Sequence, residues 1–196
     1  MIGVYAKNIA GVWFGVACDE QRVFGTSFAS SEKEALKSLL SGIPFNAPFQ
    51  VFPVPSAFAD NVLAKVKDVY DGKDVSKLFP LAAEHLPAYT RRVLKVTACV
   101  PVGYVTTYGS IAKAAGGSPR AVGNVMAANP FAPIVPCHRV VSSDFTLGGY
   151  GGGLDVKLQF LIREKRGYQS PWEMPLDEGD LAIFPVEFVL RKLKKD

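Results

Sequence analysis

The chain has 196 residues, 48% of them hydrophobic and 20% charged, with a net charge of +4. That is enough apolar material for one sizeable core or two small ones, so a soluble globular protein is expected, and no apolar run reaches the roughly 18 residues that span a bilayer, so a membrane protein is disfavoured. The three cysteines, Cys18, Cys99 and Cys137, are odd in number and far apart, no C-x-x-C occurs, and His85 and His138 are the only histidines. This pattern predicts a reducing, cytoplasmic setting and no zinc cluster.

The charge is unevenly placed. Residues 1–86 carry 8 Lys/Arg against 9 Asp/Glu, residues 87–166 carry 10 against 3, and residues 167–196 carry 4 against 6. A positive excess confined to the middle is the electrostatic footprint of a polyanion-binding face; a solvated basic face gives the same count.

In chain order, Ile2 to Lys7, Gly11 to Ala17 and Arg22 to Ser27 are β-rich segments separated by short polar breaks, which suits an antiparallel meander. The apolar run Ile9 to Cys18 has the look of a signal-peptide core, but no basic segment precedes it, so it reads as a strand. Ser31 and Glu34 form a capping box ahead of a helical stripe of Leu36, Leu39 and Leu40, closed by Gly42 and Pro44. Phe49 to Val54 is a further strand, and Val62, Val66 and Val69 fall on one helical face that ends at Gly72. Nothing here carries chemistry, and Cys18 reads as a core residue.

Between Lys73 and Pro87 the composition loosens. The expected organisation is a supporting domain over 1–86, an active domain over 87–167 and an extension over 168–196. A helix is predicted from about Pro87 to Val100, with Cys99 packing as a small apolar residue. Ser110 is expected to cap a short helix from Ile111 to Ala115, Gly116-Gly117 to make a tight turn, and Ser118 and Pro119 to open a second helix to about Ala128. This is a helix-turn-helix. Its second helix is built of Ala, Val, Gly, Asn and Met with one charge, Arg120. Such small side chains favour docking by shape over reading bases in a major groove, and the alternative is an ordinary helical hairpin in a core. Asn129-Pro130 then makes a turn that an Asx side chain can fix.

The turn leads into Val135-Pro136-Cys137-His138-Arg139-Val140-Val141, a thiol beside an imidazole and a guanidinium on a short buried strand or turn. Cationic neighbours lower a thiol pKa and raise the thiolate fraction, which makes a reactive cysteine; a buried structural cysteine fits those seven residues equally well. Ser142 to Gly153 is polar and glycine-rich. The last helix, Leu154 to Lys165, places Lys157, Phe160, Leu161 and Glu164 on one face, so Glu164 can turn inward.

The box Pro136-Cys137-His138-Arg139-Val140, preceded by Thr107-Tyr108-Gly109, Arg120-Ala121-Val122-Gly123 and Asn129-Pro130 and followed by Gly-Gly-Leu154 and a helix, resembles the O6-alkylguanine-DNA alkyltransferases. The resemblance covers about Pro87 to Gly167. It implies a mixed α/β (α+β) fold: a small N-terminal antiparallel sheet with helix, then a mainly helical domain with the helix-turn-helix and a reactive-cysteine strand. It also implies a monomer that flips an alkylated guanine out of duplex DNA and takes the alkyl group onto its own cysteine once, without a cofactor.

By that resemblance Cys137 is the alkyl acceptor, His138 the base that draws off its proton through a water, and Glu164 the carboxylate that orients the imidazole. Tyr108 assists phosphate rotation and donates a hydrogen bond at the purine; Asn129 is the hinge. Arg120 fills the place of the extruded base, with Ser110, Ala121, Gly123 and Ala127 on the DNA-facing side. Met126, the Cys137 and Val140 carbonyls, Tyr150 and Gly151 line the base pocket. Three positions depart from the pattern. Gly151 stands where some members have a serine, Ala132 where some have a proline, and residues 168–196 run past the family core. Competing readings are a Cys-His hydrolase, a damage-binding protein that performs no transfer, and a helix-turn-helix regulator. The positive segment weighs against the first, Cys137 itself against the second, and the lack of base-reading side chains against the third.

Overall fold

The computed structural model describes residues 1–75, 79–177 and 179–194; Lys195, the end of the basic run that starts at Arg191, lies outside them. The chain begins with β1 (Ile2–Ile9), β2 (Val12–Cys18) and β3 (Val23–Ala29), an antiparallel meander. Side chains alternate across a strand. Phe14, Val16 and Cys18 accordingly join one core, and Ala17 joins the core on the other face with Ile2, Val4 and Phe24.

The two helices that follow cover the two faces. Helix α1 (Glu32–Leu39) starts as the capping box requires, with the Ser31 hydroxyl accepting from the Glu34 amide, and it buries Leu39 in the second core. β4 (Phe49–Val51) is shorter than the sequence suggests and runs parallel to β1, so the sheet, ordered β3-β2-β1-β4, is mixed rather than purely antiparallel. Helix α2 (Ala57–Tyr70) contributes Ala59, Val62, Leu63 and Val66 to the first core.

The remaining elements begin with α3 (Ala88–Ala98), β5 (Tyr104–Thr107), α4 (Tyr108–Ala115) and α5 (Pro119–Ala127). The cap of α4 is Thr107, whose hydroxyl accepts from the Ser110 amide at 3.0 Å; Ser110, expected to be the cap, lies inside the first turn with its hydroxyl 2.9 Å from that of Thr107. The helix starts early because the strand hands directly over to it at Thr107. Ser118 caps α5 as expected, accepting from the Ala121 amide. The α4–α5 turn requires glycine: Gly117 has φ +89°, and a Cβ there would lie 2.5 Å from the Tyr89 hydroxyl.

The reactive segment follows. Cys137–Arg139 is a single 3-10 turn, not a strand, closed by the Arg139 amide on the Pro136 carbonyl at 2.9 Å; only then does β6 (Val140–Val141) pair in parallel with β5. Helix α6 (Leu154–Arg163) is succeeded by β7 (Trp172–Leu176), β8 (Gly179–Pro185) and α7 (Val186–Lys192).

The chain divides into two compact units whose boundary differs from the expected one. The first comprises 1–70, 75–86 and 130–134, and the second 71–74, 87–129 and 135–196. Residues 130–134 belong to the first unit because the Pro130 and Ala132 carbonyls accept from the amide and hydroxyl of Thr26 on β3. The second unit is less helical than the sequence implies. It holds a four-stranded sheet ordered β6-β5-β8-β7, in which the C-terminal stretch supplies two strands. That stretch also supplies Val186 and Val189 to a core shared with Val105, Val141 and Leu161. No helix among the described residues is long and apolar enough to cross a membrane.

Candidate active site

The 3-10 turn places three consecutive side chains in different surroundings. Cys137 is 5% exposed and His138 is wholly buried. The Asn129 amide and the Tyr150 hydroxyl hydrogen-bond the thiol, and Lys157 is the cation that acts on it. Asn129 is itself fixed, since its Nδ2 donates to the Val135 carbonyl at 2.9 Å and so ties the end of α5 to the start of the reactive segment. Burial outweighs all of these partners and pushes the Cys137 thiol above its ordinary range. This corrects the sequence expectation that His138 and Arg139 would lower it: both turn to Glu164 instead. A thiol left protonated in this way needs a base.

His138 is the imidazole closest to the thiol in sequence, and its ring is held rigidly. Its ring stacks on Phe160 with centroids 4.3 Å apart, and its Nε2 lies 2.8 Å from Oε1 of Glu164. Burial, opposed by the Glu164 charge, lowers the imidazole pKa and keeps it neutral. A neutral ring that donates from Nε2 carries its lone pair on Nδ1, and Nδ1 is buried with no hydrogen-bond partner among the described residues.

Glu164 caps α6 and is wholly buried. Burial pushes its carboxyl up, but His138 and Arg139 outweigh that and bring it down to about 2. Arg139 grips both carboxylate oxygens, Nε to Oε2 at 2.9 Å and Nη2 to Oε1 at 2.8 Å, and its Nη1 donates to the Val100 carbonyl at 2.6 Å. The guanidinium is thus an anchor for the orienting carboxylate rather than an activator of the thiol.

Lys157 is the residue that sequence reasoning did not assign a role. It is wholly buried, and its Nζ donates to the carbonyls of Val140 and Leu147, each at 2.6 Å, and of Gly149 at 3.1 Å. Burial brings its pKa down to about 8, opposed by the sulfur of Cys137. Its position beside Phe160 and Leu161 on a buried helix face was the available signal, because a lysine there must find acceptors. The Val140 carbonyl, expected to meet the substrate base, already accepts from this ammonium.

The rings of Tyr108 and Tyr150 both lie near Lys157, each centroid 5.9 Å from Nζ. Burial raises both phenol pKa values, so both hydroxyls stay donors; that of Tyr108 reaches the Gly149 carbonyl at 3.3 Å. Gly148, at φ +67°, lets the loop pass the Tyr108 ring, where a Cβ would come within 2.9 Å. The structure therefore brings together Cys137, His138, Glu164, Tyr108, Asn129 and Tyr150. Met126 is buried, with the Thr97 hydroxyl 3.9 Å from its sulfur, and Gly151 is exposed in the loop. On α5 Arg120 is exposed, Ala121 and Gly123 are half-buried, and a Cβ at Gly123 would lie 4.0 Å from the Tyr108 ring.

The family model for the 6-O-methylguanine DNA methyltransferase DNA-binding domain matches residues 88–166. A methylated-DNA–protein-cysteine methyltransferase of Pyrobaculum aerophilum is 58% identical over 65 residues, 33% of this chain and 44% of that protein, so the chain spans less than half of that relative's length. A protein of the same name from Thermococcus gammatolerans is 37% identical over 161 residues, covering 81% of this chain and 91% of that one. The crystal structure of Mycobacterium tuberculosis OGT in complex with DNA superposes with a TM-score of 0.66 at 25% identity, over 83% of this chain and 92% of that one. The chain belongs to the methylated-DNA–protein-cysteine methyltransferase family.

Proposed function

We propose that this protein repairs DNA by direct reversal, taking the alkyl group of O6-alkylguanine, chiefly O6-methylguanine, irreversibly onto Cys137. The observation that carries the reading is the buried neutral His138, with Nε2 fixed on Glu164 and Nδ1 left with a lone pair, in the residue after a thiol that burial keeps protonated. Nδ1 takes the thiol proton through a water. The sulfur–carbon bond forms as the carbon–O6 bond breaks, the electron pair leaves on the purine, and the proton removed from the thiol ends there. Tyr108, kept protonated by burial, donates a hydrogen bond at the purine during departure. No cofactor enters the balance.

Access to a buried thiol requires that the base leave the duplex. Arg120, exposed at the start of α5, fills the gap and offsets part of the few kcal/mol that flipping costs. The small residues Ala121, Gly123 and Ala127 let this helix approach DNA closely, with Ser110 and Tyr108 at the neighbouring helix start. The protein acts as a monomer, and its widely spaced cysteines suit the cytoplasm.

The test is the intact mass after incubation with excess duplex DNA carrying O6-methylguanine, followed by peptide mapping. One added methyl on the Cys137 peptide, saturating at one per protein and absent in Cys137→Ser, is expected. Unchanged mass with retained binding would favour a damage-binding protein instead.

A further inference from the structure

Phe145 has a left-handed backbone, φ +63°, in the turn that opens the glycine-rich loop. That conformation is ordinarily left to glycine or asparagine, and for a bulky side chain it is strained. The turn demands it: the Phe145 amide bonds the Ser142 carbonyl at 3.0 Å, and the Ser142 amide bonds the Thr146 carbonyl at 3.0 Å. Glycine would serve the backbone better. A strained residue persists where its surroundings over-determine it, and the surroundings here are two other rings. Phe145 stands edge-on to Phe184, centroids 5.1 Å apart, and to Phe188 at 5.4 Å.

Phe184 lies on β8 and Phe188 on α7, both beyond the residues 88–166 that the family model matches. The same C-terminal stretch packs Val186 and Val189 against Leu147, two residues on from Phe145. From Leu147 the loop runs to Gly149, whose carbonyl accepts from Tyr108, and to Tyr150, which bonds the Cys137 thiol. The start of the segment flanking the sulfur is therefore held by a part of the chain beyond the residues that the family model matches.

We propose that β8 and α7 clamp the glycine-rich loop as a lid over Cys137, that Phe145 is the positioning residue through which they act, and that the clamp sets the width of the alkyl pocket. The proposal rests on the alkyltransferase reading above. A lid fixed at its root keeps one height. A methyl group fits beneath it, whereas a bulky alkyl group needs the lid to give.

Two variants test this. Phe145→Gly suits the left-handed turn and folds while losing the ring, and Phe188→Ala trims a half-buried ring. The readouts are amide hydrogen exchange over residues 146–153, which needs no activity, transfer rates from duplex O6-methylguanine and O6-benzylguanine, and duplex affinity. In both variants exchange is expected to quicken at least tenfold and the benzyl-to-methyl rate ratio to rise at least threefold, with affinity held within twofold. Unchanged exchange in both overturns the clamp. Faster exchange with an unchanged ratio overturns its control of pocket width. If the unaltered protein transfers neither group, the alkyltransferase reading has failed, and the exchange data still decide the clamp.

Discussion

His138 Nε2 donates to Glu164 Oε1 at 2.8 Å, and neither side chain has any exposed surface. Two consequences follow from one bond: it fixes which ring nitrogen can act as the base, and it makes a buried carboxylate depend on partners that must not be removed.

Glu164→Gln keeps the shape of the side chain and removes its charge, leaving the Arg139 guanidinium buried without a counter-ion. Breaking a buried pair from one side costs about 3–5 kcal/mol, which for a chain of this size corresponds to a fall in Tm of roughly 10 °C. Transfer is expected to slow at least tenfold, because the imidazole loses the negative charge that would stabilise it as it takes up the thiol proton. Thermal melts and single-turnover rates check this, and a variant as stable and as fast as the parent would remove Glu164 from the relay.

The same pair makes stability depend on acidity. His138, from 6.5, and Glu164, from 4.5, both titrate lower in the folded protein, so the unfolded chain binds more protons in each window. The stabilisation is complete above both unfolded values. It is lost as pH falls, first below 6.5 for His138 and then from 4.5 toward about 2 for Glu164. The Tm is expected to drop steadily between pH 7 and pH 4; a rise on acidification would contradict the assignment of a neutral imidazole.

Lys157→Met preserves length and apolar stem but strips three carbonyls of their shared donor. A buried acceptor left without a donor costs about 1–3 kcal/mol, so even one that stays dry lowers Tm by roughly 2–10 °C. The thiol also loses the favourable charge of that lysine. Titration of Cys137 in the variant, followed by thiolate absorbance, should show a pKa higher than the parent's, and an unmoved value would separate the lysine from the sulfur.

Arg120→Ala removes an exposed side chain, so the fold and the reaction with free O6-alkylguanine base are expected to stay within twofold of the parent. Repair in duplex DNA is expected to fall at least tenfold. Equal losses on free base and duplex would rule out a role in filling the vacated stack.

The legible parts of this molecule were those with local signals. The helix start at Ser118-Pro119, the capping box at Ser31 and the inward face of α6 that carries Glu164 all follow from spacing within a turn or two. Thr107 carries no cap signal in the sequence, because a β-rich run ending in Thr-Tyr-Gly gives no hint that the strand passes straight into a helix. The pairing of Val105 with Phe184, and so the place of the C-terminal stretch in the sheet, joins segments far apart in the chain that no periodicity links. The part played by Arg139 depended on geometry too, since only the turned backbone shows that it meets Glu164 and not the sulfur.

The depth at which Cys137 sits gives the molecule a shelf life. A reagent that can be used once is wasted by every stray oxidant or alkylator that reaches it, and those attack thiolates that are open to solvent. Cys99 lies on the surface, whereas Cys137 is enclosed and burial holds its thiol protonated. On the proposed reading its sulfur waits protonated until a nucleotide is delivered to it, and selectivity would begin before any base is recognised.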